Sequence, residues 1–138
     1  MVSRKLVGLL AVIAGSMGIA VGLSAKGVSD RVCTGELRVR TVVVTDVAGD
    51  AVDDLNIEVT HIETERVLDT SDPEPERPGE YVILTSLHVQ QGVADGDEIK
   101  VTGSKGDAAF VQSYTVRTDT AGCHFVEVIG PDRIVLRK

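Results

Sequence analysis

The 138-residue chain has no tryptophan and only four other aromatic residues. Sandwich domains that bind sugars present flat aromatic platforms, whereas the few rings here fall within predicted strands, so carbohydrate recognition is disfavoured. The chain also lacks the Gly-x-Ser-x-Gly sequence that exposes a serine nucleophile in many hydrolases. After residue 25, no apolar set recurs with a helical period, and we expect no helix there.

Basic residues are few, with 14 Lys and Arg against 21 Asp and Glu, which gives a formal net charge of −7. Residues 1–25 hold two of the basic residues and no acidic ones, so the remainder carries −9. A surface of this sign repels phosphate backbones and anionic lipid headgroups. We therefore expect no nucleic-acid partner, and membrane contact only through the N-terminal segment if that segment is retained.

The N-terminus has the three parts of a secretory signal peptide in order. Arg4 and Lys5 give a basic start, residues 6–23 are uncharged and mostly apolar, and Leu23-Ser24-Ala25 offers a cleavage site after Ala25. We predict a signal peptide over residues 1–25 and an exported protein that is secreted or periplasmic.

Two alternatives stay open for this segment. Cleavage can instead follow Ala20-Val21-Gly22, which is also a small-residue site. The apolar run of eighteen residues is just long enough to span a bilayer, so an uncleaved N-terminal anchor is the alternative to release.

The chain has two cysteines, Cys33 and Cys123, one near each end of the exported part. Disulfides form and persist in oxidising compartments outside the cytoplasm. Two cysteines in an exported chain favour pairing, and we predict a Cys33–Cys123 disulfide.

Short runs of alternating apolar and polar residues follow a leader over residues 26–34. In one of them Leu55, Ile57 and Val59 alternate with polar residues, which is typical of a strand with one buried face. Turns rich in Gly, Asp and Pro recur every eight to fifteen residues. The pattern predicts one all-β domain over residues 35–138, an antiparallel sandwich of seven or eight strands.

Several segments in order resemble carboxypeptidase regulatory-like domains of the exported bacterial type. These are residues 42–46 (Val-Val-Val-Thr-Asp), 49–52 (Gly-Asp-Ala-Val), 79–81 (Gly-Glu-Tyr), 96–101 (Gly-Asp-Glu-Ile-Lys-Val) and 123–126 (Cys-His-Phe-Val). The resemblance implies a transthyretin-like β-sandwich, although an immunoglobulin-like sandwich has a similar pattern. It implies a scaffold rather than a reaction, and no cofactor.

Two sets of residues are candidates for chemistry. His61, His88 and His124 are too far apart in sequence to indicate zinc by spacing. Ser86 and His88 lie two residues apart in a predicted strand, so their side chains point the same way and could pair as nucleophile and base. We expect a strand or turn there instead, because the surrounding motif of a hydrolase is missing.

An acidic run supplies weak calcium candidates: Asp69, Asp72, Glu74 and Glu76. Ca²⁺ prefers several oxygen ligands, but the residue order of an EF-hand is absent, and the run is interpreted as a solvated loop. No catalytic or metal site is therefore assigned from the sequence.

The sequence favours an exported non-enzymatic β-sandwich that binds a protein partner or is a structural module of the cell envelope. Unpaired edge strands are the natural docking surface of such a domain. Two alternatives remain, an adhesion module stabilised by Ca²⁺ and a weak hydrolase centred on Ser86 and His88.

Overall fold

The computed structural model describes residues 32–138. The predicted signal peptide (1–25) and residues 26–31 of the predicted leader lie outside the described part. Residues Cys33–Lys138 form one compact unit. Its strands are β1 Val39–Thr45, β2 Asn56–His61, β3 Arg66–Leu68, β4 Glu80–Thr85, β5 Glu98–Lys105, β6 Ala108–Thr118, β7 Phe125–Ile129 and β8 Arg133–Val135.

The eight strands form two sheets, which confirms the predicted all-β sandwich. The smaller sheet has the strand order β4-β1-β8, and the larger has the order β3-β2-β5-β6-β7. One pair departs from the antiparallel expectation, because β8 runs parallel to β1. Since β7 and β8 belong to different sheets, the segment 130–132 is a crossover between sheets, and no hairpin constrains the direction of β8.

The core lies between the sheets and follows the alternation of the sequence. In β5, Ile99 and Val101 are fully buried whereas Lys100 between them is exposed. Val42 and Val44 of β1 bring the inner face of the smaller sheet into the same apolar cluster. Each such side chain stabilises the fold by roughly 1.5–3 kcal/mol relative to exposure.

A short helix, α1 Ser86–Gln90, corrects the expectation of no helix after residue 25. The sequence suggests a strand extension or a short separate element there. In the structure, the main-chain N–H of Thr85 donates to His88 Nδ1 at 3.0 Å, which caps the first turn. Five residues make less than two turns, so the helix has no apolar period that the sequence could reveal.

The predicted Cys33–Cys123 disulfide is confirmed, with an S–S distance of 1.96 Å and a Cα–Cα distance of 5.4 Å. It joins the segment before β1 to the turn before β7, across 90 residues of sequence. Between residues 32 and 138, no helix combines the length and the apolar character that crossing a bilayer requires.

Candidate functional site

The three histidines do not come together. His61, His88 and His124 are each at most 5% exposed, and each has its own hydrogen-bond partners. Within residues 32–138 the three rings form no shared ligand cluster.

Ser86 pairs with His124 instead of His88. His124 Nδ1 lies 2.9 Å from Ser86 Oγ, and this oxygen also accepts the main-chain N–H of Arg38 at 2.9 Å. On its other side, His124 Nε2 lies 3.0 Å from Thr34 Oγ1. Ser86 is 1% exposed, so a substrate has no access to its hydroxyl.

His88 has a structural role in the same helix. Its Nδ1 accepts the Thr85 N–H, and its Nε2 lies 2.8 Å from the main-chain oxygen of Asp69. Burial lowers the pKa of His88 below its usual range. The expectation that Ser86 and His88 point the same way is wrong, because the segment is helical and not extended.

The acidic run does not converge on a calcium site. Asp69 Oδ1 accepts both the hydroxyl and the main-chain N–H of Ser71, at 2.6 and 3.0 Å, and these bonds lower the pKa of Asp69. In residues 32–138, Asp72, Glu74 and Glu76 belong to no group whose ligand atoms gather closely enough to hold an ion.

Glu74 and Glu76 instead line a groove of about 410 Å³ on the outer face of the smaller sheet. We name this feature the loop groove, because the proline-rich loop forms its walls over β1 and β4. It is lined by Val39, Thr41, Pro73, Glu74, Pro75, Glu76, Arg77, Glu80 and Val82.

One carboxylate of the loop groove is neutralised within the fold. Glu80 is 9% exposed, and its Oε2 accepts the Thr41 hydroxyl at 3.0 Å and Arg77 Nη2 at 3.2 Å. Burial alone raises the pKa of Glu80, but the hydrogen bond from Thr41 and the charge of Arg77 outweigh it and lower the pKa overall. Glu74 and Glu76 remain exposed, so they give the groove its negative charge.

A second cluster lies at one end of the larger sheet, where His61, Glu63 and Asp97 meet. His61 Nε2 is 2.7 Å from Asp97 Oδ2 and 3.6 Å from Glu63 Oε1. One ligand atom from each residue lies within 4.8 Å of the other two. A nitrogen and two carboxylates at this spacing can hold a divalent cation.

Strand pairing brings this cluster together. His61 is the last residue of β2, Glu63 lies in the turn that follows it, and Asp97 directly precedes β5. In the antiparallel β2–β5 ladder, His61 is opposite Ile99. The main-chain N–H of Glu98 donates to both Glu63 carboxylate oxygens at 3.2 Å, and this bond ties the turn to β5.

Sequence reasoning missed this cluster because it compared histidines only with one another. Two features of the sequence indicate the cluster. His61 and Glu63 lie two residues apart at the end of β2, and Asp97 directly precedes the alternating strand β5. Comparisons with protein-family models, with curated proteins and with solved structures find no match to this chain. The resemblance to carboxypeptidase regulatory-like domains therefore stays a prediction.

Proposed function

We propose that the chain is an exported, non-enzymatic β-sandwich module that binds a protein partner. The partner's binding element is an extended basic segment, and the loop groove receives it. The observation that carries this proposal is the composition of the groove, in which two exposed carboxylates stand beside two prolines and two valines. The likeness to carboxypeptidase regulatory-like scaffolds is part of the same proposal.

Charge complementarity supports a basic partner. Residues 32–138 contain 20 acidic and 10 basic side chains, and Glu74 and Glu76 place two of the acids at the groove. The positive charge of Arg77 is matched by Glu80, so Arg77 does not cancel them. Such a field speeds the encounter with a basic segment and disfavours acidic ones.

The walls of the groove are suited to an extended chain with apolar side chains. Pro73 and Pro75 restrict the loop, so little conformational entropy is lost when a partner binds. Val39 is 37% exposed on the floor of the groove, and it offers an apolar contact beside the charges.

The strand edges are less suited to docking than the loop groove. Strands β3 and β8 have three residues each, and β4 is almost entirely buried. The remaining edge strand, β7, breaks its register with β6 between Arg117 and Thr118. Short or irregular edges of this kind protect sheets from added strands.

The Cys33–Cys123 disulfide supports export, because such bonds persist outside the reducing cytoplasm. Cell fractionation combined with mass spectrometry of the purified protein tests this part of the proposal. The expected product is extracytoplasmic, begins near residue 26 and contains no free thiol. Intact cytosolic protein with two thiols would contradict it.

Binding at the groove is tested with a fluorescent peptide of alternating lysine and valine, measured by polarisation against the exported chain. A peptide of alternating glutamate and valine is the charge-reversed probe. The double variant Glu74→Gln, Glu76→Gln should weaken binding by about fivefold or more, since each rim ion pair contributes up to about 1 kcal/mol.

A matched variant, Glu58→Gln with Asp107→Asn, removes two exposed acids outside the groove and controls for net charge. It should change the affinity by less than about twofold. Equal weakening by both double variants, or equal binding of the acidic peptide, would overturn the assignment of the groove.

A further inference from the structure

We infer that His61, Glu63 and Asp97 bind one divalent transition-metal ion of the zinc class. This site shares no residue with the loop groove, and it does not depend on the proposed function. It consists of His61 Nε2 and one oxygen from each carboxylate.

The distances fit such an ion after small movements. Zinc binds imidazole nitrogen and carboxylate oxygen at about 2.0–2.2 Å, which separates neighbouring ligand atoms by about 3.3–3.6 Å in a tetrahedral site. His61 Nε2 and Glu63 Oε1 are 3.6 Å apart, and His61 Nε2 and Asp97 Oδ2 are 2.7 Å apart. His61 Nε2 and Asp97 Oδ2 now share a hydrogen bond, and an ion between them requires these two atoms to move apart by about 0.6–0.9 Å.

The surroundings of His61 suit a metal ligand. Thr64 Oγ1 lies 2.9 Å from His61 Nδ1, so it can accept a hydrogen bond from Nδ1–H in the tautomer that leaves the lone pair of Nε2 for the ion. A ligating histidine commonly donates its other ring N–H in this way, which fixes the ring orientation. His61 is 1% exposed, and its ring is held by packing before any ion arrives.

Main-chain donors hold the two carboxylates in place. Asp97 Oδ2 accepts the Ala94 N–H at 2.9 Å, and the Glu63 carboxylate accepts the Glu98 N–H. Bonds of this type orient ligands without neutralising their charge. The two acids therefore supply charge for a divalent ion from positions set by the backbone.

The ligand set selects the class of ion. Imidazole suits zinc and its neighbours in the transition series, whereas Ca²⁺ requires six to eight oxygen ligands. The Glu63 side chain is 45% exposed while that of Asp97 is 19% exposed, so the cluster opens to solvent on the Glu63 side. Three protein ligands thus leave a coordination position that water can fill.

Isothermal titration of the full exported chain with Zn²⁺, after removal of metal by EDTA, tests the inference. We expect one ion per chain with a dissociation constant in the micromolar range or tighter. Glu63→Gln should weaken binding by about tenfold or more, as loss of a ligand or its support does elsewhere. Because Glu63 is half exposed, this variant should fold normally.

Glu65→Gln is the matched control, since it removes an exposed acid from the same turn without touching the cluster. Its affinity for Zn²⁺ should lie within about twofold of the parent. Substitution with Co²⁺ adds a spectroscopic readout, because a site of nitrogen and oxygen ligands has a visible absorption that Glu63→Gln should alter.

Three results would overturn the inference. One is the absence of saturable Zn²⁺ binding below about a millimolar, the range of weak extracellular cation sites. Another is equal weakening by Glu63→Gln and Glu65→Gln, which indicates loose attraction to an acidic surface. The third is displacement of Zn²⁺ by equimolar Ca²⁺, which indicates a site of hard oxygen ligands.

Discussion

Ser86 Oγ and His124 Nδ1 lie 2.9 Å apart in the protein interior, although 38 residues separate them in sequence. The pair joins the first residue of α1 to the turn that carries Cys123. Through Thr34 Oγ1 it also reaches the segment beside Cys33. The two residues therefore form a hydrogen-bonded pair next to the disulfide. Buried polar groups that satisfy one another in this way favour one arrangement of the elements that they connect.

Replacing Ser86 with alanine should lower the free energy of unfolding by about 1–3 kcal/mol, because it leaves the Arg38 N–H and a His124 nitrogen without their partner. Urea denaturation measures the change. The exposed Ser113→Ala is the control and should change stability by less than about 0.5 kcal/mol. An esterase screen should give equal background rates for the parent and Ser86→Ala, and a loss of activity in the variant would revive the hydrolase alternative.

Reducing the Cys33–Cys123 disulfide should destabilise the fold by up to about 4–5 kcal/mol. The bond closes a loop of 90 residues, and the unfolded chain gains conformational entropy when that loop is opened. The double variant Cys33→Ala, Cys123→Ala should behave like the reduced protein in urea denaturation. A reduced protein that is as stable as the oxidised one would contradict a structural role for the bond.

His88 should make the fold less stable as the pH falls below 6.5, its ordinary pKa. Burial lowers the pKa of His88 in the folded state; Asp69 opposes this shift, and the charge of Arg66 adds to it. The unfolded chain therefore takes up the proton first, and the stability present above pH 6.5 is lost as the pH falls toward the folded pKa.

Unfolding free energies of the parent and His88→Gln, measured between about pH 8 and pH 5, test this prediction. The parent curve should fall more steeply on the acid side than the curve of the variant. Parallel curves would show that His88 titrates alike in the folded and unfolded states.

Gly130 cannot accept a side chain, because its Cβ would fall on the ring of Tyr114 at Cδ2 and Cε2. That ring is 1% exposed, and its hydroxyl donates to the Pro131 oxygen at 2.7 Å. We expect Gly130→Ala to lower the free energy of unfolding by about 1–3 kcal/mol through overpacking, in addition to the strain of a φ of +157°. Thermal denaturation is the measurement.

Gly49→Ala is the control that isolates the effect of a positive φ from the effect of the clash at Gly130. Gly49 has φ of +91°, but nothing lies within 4 Å of the position of a Cβ there. Gly49→Ala should therefore lower the free energy of unfolding by about 1 kcal/mol, which is less than the loss in Gly130→Ala. Equal losses in both variants would mean that the packing of Tyr114 against residue 130 is not the cause.

The sequence predicts the strands well because each strand follows from a local pattern, the alternation of apolar and polar residues. Ile99 and Val101 flank Lys100 in the same alternation that the burial pattern of β5 follows. The disulfide is predictable because the sequence has two cysteines behind a predicted signal peptide, in a part expected to meet an oxidising compartment. The helix α1 is not predictable in this way, because five residues are too few to show a helical apolar period. The helix is stabilised by the hydrogen bond from the Thr85 N–H to His88, which the sequence does not reveal.

The candidate sites depend on contacts between distant residues, which a single sequence does not record. His61 and Asp97 are 36 residues apart and meet only because β2 pairs with β5 in one particular register. The loop groove depends on the acidic run folding back over β1 and β4, where Glu80 binds Arg77 and Thr41. The sequence shows the charge of the run but not the surface against which it folds.

The most direct test of the proposed function is an amide-resolved NMR titration of residues 26–138 with the lysine-valine peptide. The account predicts that the largest shift changes fall at Val39, Thr41, Arg77 and Val82, around the loop groove. Changes concentrated instead at Val126 and Ile129, the exposed apolar residues of the β7 edge, would contradict it.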